Sequence, residues 1–147
     1  MIPVQELCIG NWVYDGERTQ FPMFIRAIGE NYVYLDFEGN EGDLWESTPE
    51  DLQGIPIAEG ILTRNGFKEV FNRDKTCFSK ACKISDKRHI QVSFILDCGS
   101  MSIVDITENK FPDVCLRLCS YTTNIKFLHE MQNFYRMTTK QELKINL

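Results

Sequence analysis

No run of apolar residues in this sequence approaches the roughly 18 to 20 that a helix needs to cross a bilayer. The first residues, Met1-Ile2-Pro3-Val4-Gln5-Glu6, carry no positive charge and no long apolar stretch, so no secretory signal is expected. These two absences predict a cytoplasmic protein away from membranes. Five Pro and nine Gly are too few for a collagen-like or low-complexity chain. C-x-x-C, H-x-x-x-H and the G-x-x-x-x-G-K-[ST] phosphate loop are all missing. Gly99-Ser100-Met101-Ser102 is not the G-x-S-x-G of a nucleophile elbow. Cys77 and Cys82 stand five apart and Cys115 and Cys119 four apart, with only two histidines elsewhere, so no metal site and no cofactor are expected.

What is present suits one hydrophobic core. The 147 residues are 43% hydrophobic and 12% aromatic, which predicts a single domain over 1–147 and excludes disorder over most of the length. Six cysteines in a chain with no export signal read as reduced thiols, and Cys98, Cys115 and Cys119 lie in apolar segments where a thiol packs as a small hydrophobe. The net charge of -5 is unevenly spread. Residues 1–58 hold eleven acids against Arg18 and Arg26, a balance of -9, and the remainder holds fourteen basic and ten acidic residues. Two solvated faces of one domain would produce this split. So would an acidic half that repels nucleic acid and meets a basic partner.

The periodicity predicts an α+β fold. Strand patterns at 9–14, 23–28 and 32–37, with turns at Asp15-Gly16 and Gly39-Asn40-Glu41-Gly42 and a return at Leu44-Trp45, predict a small antiparallel sheet or SH3-like partial barrel. Thr48-Pro49-Glu50-Asp51 has the composition of a helix start, and 58–64 of a second short helix stopped by Asn65-Gly66. Strand patterns then recur near 67–71, 77–78, 90–96, 102–106 and 114–118, with short connections that predict an antiparallel meander. An amphipathic helix over 124–137 buries Phe127, Leu128, Met131, Phe134 and Tyr135, and Leu143, Ile145 and Leu147 predict a final strand. Within the single domain this separates an acidic β-rich part, 1–58, from a meander-plus-helix part, 59–147.

Candidate functional residues follow from the same features. Trp12, Tyr14, Tyr32, Tyr34 and Trp45 form an aromatic set that either packs a small barrel or lines a peptide-binding surface. Tyr14, Tyr34, Trp12, Trp45 and Asp43 are taken as binding candidates from this half, and His129 and Gln132 from the last helix. The acidic loop 36–43 resembles the start of a calcium loop, but counting from Asp36 positions six and twelve hold Glu41 and Ser47 where Gly and Glu belong, so a solvated hairpin is expected. Arg73, Lys75, Lys80, Lys83, Lys87 and Arg88, with Phe71 and Phe78 interleaved, could follow a phosphate backbone, but Asp74 and Asp86 dilute them and nucleic acid is not the expected partner. Pro112-Asp113 followed by Glu142-Leu143-Lys144 is the pattern of a metal-dependent nuclease using Asp113, Glu142 and Lys144. A strong helix between the two halves puts them in the wrong context.

Several segments carry a resemblance. Ile9-Gly10-Asn11-Trp12-Val13, residues 33–46, Ile55-Pro56-Ile57 and Leu62 to Phe67 resemble a family of small uncharacterised proteins of gut Bacteroidetes and of their phages and mobile elements. Leu128-His129-Glu130-Met131-Gln132-Asn133-Phe134-Tyr135 is similar to the helical signature of that family. Thr139-Lys140-Gln141-Glu142-Leu143 resembles its trailing Thr-Gly-Glu-Glu-Leu with the glycine replaced, so a different turn is expected there. The resemblance implies a mobile-element origin and supplies no catalytic residue. With no coherent catalytic set, the expected function is that of a non-enzymatic binding or accessory protein with a protein partner. A metal-dependent nuclease and a structural virion component are the alternatives.

Overall fold

Period-two alternation of apolar residues does dominate the chain. The computed structural model describes residues 1–16, 19–72, 75–108 and 115–147, and among them are ten strands and two α-helices. The strands form two five-stranded antiparallel sheets, an α+β fold. The chain divides into two compact units: Met1–Pro56 with Phe127–Asn133 and Leu147, and Ile57–Lys126 with Phe134–Asn146.

In the first unit the strands are β1 (Trp12–Asp15), β2 (Thr19–Ile28), β3 (Val33–Asp36), β4 (Trp45–Ser47) and β5 (Leu52–Gly54), in the order β4-β3-β2-β1-β5. β4 and β5 occupy opposite edges, yet only residues 48–51 connect them. Neighbouring strands lie about 4.8 Å apart, so β1 and β4 would be about 14 Å apart in a flat sheet. Instead the carboxylate of Asp15 on β1 accepts hydrogen bonds from Trp45 Nε1 (2.7 Å) and Ser47 Oγ (3.3 Å) on β4. The sheet is therefore strongly curled, helped by irregularities at Tyr14/Asp15 and Ile25/Ala27. Val13, Met23, Ile25, Val33, Leu35 and Leu52 point into the curl, with Ile2 and Leu7 completing this core.

The segment Phe127–Asn133 is stitched to this sheet by main-chain and amide bonds. Leu128 N donates to Ile55 O at 2.9 Å. Gln132 accepts from Trp12 N (3.0 Å) and donates to Gly10 O (3.1 Å). Asn133 accepts from Asn11 Nδ2 (2.9 Å) and donates to Glu6 O (2.5 Å). Four polar groups of residues 6–12 thus find partners on one turn of helix, as buried polar groups must. Gly54 is required here, because a Cβ would overlap the Phe127 ring.

In the second unit β6 (Lys68–Asn72), β7 (Lys75–Ser85), β8 (Arg88–Ile95), β9 (Ser100–Glu108) and β10 (Cys115–Thr122) run in simple sequence order, the expected meander. Register aligns Phe78, Phe94 and Met101 on one face, with Val92 and Ile103 in the next row, and all five are buried. Tyr135, 2% exposed, meets Cys82 on the same face, and burial pushes its phenol well above the ordinary value. The short helix α1 (Glu59–Arg64) ends at Asn65, with Gly66 at φ 79° as the stop signal predicted. Gly99, at φ 59°, leaves no room for a Cβ against the Ile125 backbone.

Several expectations need correction. The helix predicted from Thr48 is one turn, closed by Thr48 Oγ1 donating to Asp51 (2.6 Å), because Leu52 must extend into the core as part of β5. The last helix, α2, spans Leu128–Thr139 rather than 124–137, since Asn124 takes φ 63° and extended chain follows it. Residues 142–147 alternate buried and exposed as predicted but join no sheet; the Asn65 side chain instead bonds both Asn146 N (2.7 Å) and Asn146 O (2.9 Å). Lys140 adopts φ 59°, the left-handed conformation a glycine would take after the helix, so that turn is made despite the replacement. Cys98 and Cys119 are exposed rather than packed, because one falls on the turn after β8 and the other faces away from the core on β10.

Two stability measurements test this account. Asp15→Ala is expected to lower the unfolding free energy by about 2–3 kcal/mol in urea titration, and Asp15→Asn by less, because an amide oxygen still accepts. In the second unit Asp105 accepts from Arg88 Nε (3.0 Å) and Nη2 (2.6 Å), and this guanidinium holds its carboxyl below the usual value. A lowered folded-state pKa stabilises above the unfolded value near about pH 4 and is lost as pH falls through the folded one. Asp105→Asn should therefore flatten the acid limb of the unfolding midpoint measured between about pH 5 and pH 2.

Candidate functional site: an acidic aromatic groove

The curl of the first sheet brings three separated segments to one mouth. They are the β2–β3 turn (Glu30, Asn31, Tyr32), the start of β4 (Trp45, Glu46) and the turn 48–51. Two adjoining hollows open there, of about 540 Å³ and 180 Å³, and Tyr32 and Thr48 line both. The larger is floored by Ile2 and flanked by Glu30 and Glu50; the smaller reaches Asp15, Trp45, Glu46 and Asp51. Five acidic residues are among those lining this groove, and no Lys or Arg is among its described lining residues.

Local chemistry fixes the walls. Trp45 rests one face on the core while its indole N–H is committed to Asp15. Tyr32 is 45% exposed, a large ring presented to solvent beside the acids. Thr48 ties the carboxylate of Asp51 into the turn. The loop beyond β3 is set by Asp36, which accepts from Asn40 Nδ2, Arg26 Nε and Phe37 N, each at 2.9 Å. The Asn40 and Arg26 bonds hold the Asp36 carboxyl below the usual range. This loop is a hydrogen-bonded connection between the antiparallel strands β3 and β4.

The sequence candidates fall into different places. Trp45 lies in the groove, and Tyr32 beside it, although Tyr32 was only one of the wider aromatic set. Tyr34 faces outward, bonded to Glu46, whose charge raises the phenol pKa. Trp12 is buried edge-on to Phe24 (ring centroids 5.1 Å). Tyr14 is half-buried on β1, and Asp43 is exposed in the β3–β4 loop. Gln132 is buried and bonded to the backbone. His129 is 1% exposed.

Of the nuclease pattern, Asp113 lies outside the described residues, Glu142 is exposed and paired with Arg136 (3.3 Å), and Lys144 is exposed. The basic stretch is dispersed. Lys80 donates to Asn65 O (2.7 Å), Lys83 pairs with Asp86 (2.7 Å), Arg88 with Asp105, and Phe78 is core. Arg73 is not among the described residues.

A third hollow, of about 300 Å³, has no counterpart among the sequence candidates. It lies in the second unit on the face of the meander opposite Phe78 and Phe94, lined by Ser79, Ser93, Ser100 and Ser102 with Cys77 and Tyr121. Ser79, Ser93 and Ser102, which face one another across three adjacent strands, are the sequence signal for it, and they are inconspicuous among apolar neighbours. At its margin the exposed Cys98 thiol sits 3.0 Å from Ser100 Oγ. That hydrogen bond, with help from Lys75, holds the Cys98 pKa below the ordinary thiol value. Cys77 is buried, and burial pushes its thiol up.

Comparison with family models, with curated proteins and with solved structures finds no match to this chain. The functional reading therefore stands on the geometry.

The thiol contrast is directly measurable. With iodoacetamide at neutral pH, Cys98 should be modified at least about tenfold faster than Cys77 by peptide mapping, and Ser100→Ala should slow it. Equal rates at the two positions would contradict the placement of both thiols.

Proposed function

We propose that this chain is a non-enzymatic binding protein whose first unit is an SH3-like barrel that takes a basic, extended segment of a protein partner. The barrel reading rests on the strand order β4-β3-β2-β1-β5, the four-residue link between opposite edges and the Asp15 bonds across the curl. The observation that carries the function is the groove at the mouth, where Tyr32 and Trp45 stand among Asp15, Glu30, Glu46, Glu50 and Asp51. Aromatic faces attract lysine and arginine side chains, and surrounding carboxylates raise the local concentration of cations. The groove is open at both hollows, which suits a chain running through rather than a small molecule enclosed. The same acidity disfavours a nucleic-acid backbone. The resemblance to proteins of phages and mobile elements supports an accessory role there, acting on a host or phage protein in the cytoplasm.

The test is a peptide array of lysine- and arginine-containing segments, followed by fluorescence anisotropy on the best binder. Tyr32→Ala is expected to weaken binding by about 1 kcal/mol, roughly fivefold in Kd. Charge reversal at Glu46 and Glu50 should weaken it further, and affinity should fall as salt is raised above about 0.15 M. Selection of acidic or purely apolar peptides, or binding indifferent to Tyr32 and salt, would overturn the reading.

A further inference from the structure

A buried side chain in the first unit is short of partners. Among the described residues, the buried side-chain nitrogen and oxygen atoms that lack a hydrogen bond are Nδ1 and Nε2 of His129. The ring is 1% exposed and stacked on Phe127, with centroids 5.9 Å apart and planes 11° from parallel. An imidazole always offers two polar nitrogens, and leaving one buried without a partner costs about 1–3 kcal/mol. Natural cores do not carry that cost without a reason.

The neighbours point to one. A nitrogen of His129, a carboxylate oxygen of Glu6 and a carboxylate oxygen of Glu130 all lie within 4.8 Å of one another. Neither ring nitrogen hydrogen-bonds to these carboxylates. Ligands of a zinc-sized ion at about 2.0–2.2 Å stand roughly 3.4 Å apart, so rotation of the two glutamates about their own side-chain bonds closes the set. Both acids are held on fixed backbone. Glu130 Oε2 accepts from Phe127 N at 3.0 Å, which orients the carboxylate at the start of α2. The Glu6 carbonyl accepts from Asn133, which anchors its short turn.

We propose that Glu6, His129 and Glu130 form a site for a divalent transition metal of the zinc class, with water completing the coordination sphere. One imidazole and two carboxylates give a mixed N/O donor set with a charge that balances the ion. Magnesium and calcium prefer all-oxygen sites, whereas zinc accepts this set. The bound ion would satisfy a His129 nitrogen and pin the turn of Glu6 against α2. No sequence spacing announces the site, because its ligands come from opposite ends of the chain.

The test uses the full chain and Zn²⁺ in competition with a chromophoric chelator, with Co²⁺ as the spectroscopic probe. One equivalent should bind with a Kd at or below about 1 μM. Glu6→Gln should weaken it by about tenfold or more. Glu6 is exposed, so this variant does not endanger the core that a change at His129 would disturb. Zinc should raise the melting temperature of the wild type and not of Glu6→Gln. The cobalt spectrum should lack a thiolate-to-metal charge-transfer band, since no cysteine is among the ligands. Absence of stoichiometric binding, unchanged affinity in Glu6→Gln, or a thiolate band would each overturn the proposal.

Discussion

The acceptance of two hydrogen bonds by Asp15 is the constraint on which the first unit depends. A carboxylate on β1 reaches the indole and hydroxyl of β4, three strands away in the ladder, only if the sheet rolls up. Rolling places Val13, Ile25, Val33, Leu35 and Leu52 against one another and removes them from water. It also leaves the turn 48–51 beside the β2–β3 turn, and the groove is the space between those turns. An acid buried to 3% exposure is tolerable because donors meet both its oxygens.

Much of this architecture was legible from local pattern. Alternation marked most of the strands, and the turn at Asn65-Gly66 lies where glycine's left-handed conformation is needed. Long-range polar bonds were not legible. Gln132 reads as a binding candidate on an amphipathic helix, yet its amide and that of Asn133 serve the backbone of residues 6–12, and no periodicity carries that information. β5 was missed because Thr48-Pro49-Glu50-Asp51 has the local chemistry of a helix start, and the demand for Leu52 in the core outweighs it. Leu143 and Ile145 were rightly marked as buried, but burial does not require a ladder when Asn65 supplies the main-chain partners. At the site, the aromatic set was visible and its sorting was not. Whether Trp12 or Trp45 reaches the groove depends on which face of the curl each occupies.

The two sheets handle polarity differently. The first keeps its hydroxyls and carboxylates at the rim of a rolled surface, where charge gathers. The second is an open meander with one apolar face, and its other face carries serines that bond to each other and to the backbone, as Ser79 does with Ser93 and Val92 O. The uneven charge along the chain comes from its basic residues, two Lys and Arg in 1–58 against fourteen in the remainder, because the acids number eleven and ten.

The first unit is assembled from pieces distant in the chain: residues 1–56 need the turn of helix at 127–133. A ribosome releases the N-terminus first, so the curled sheet emerges long before the amides that satisfy residues 6–12. Through most of synthesis those backbone groups must remain hydrated or find transient partners. The sequence separation of these contacts implies slow closure, which waits until residues 127–133 have been made. The helical turn at 127–133 thereby acts as the latch on residues 1–56.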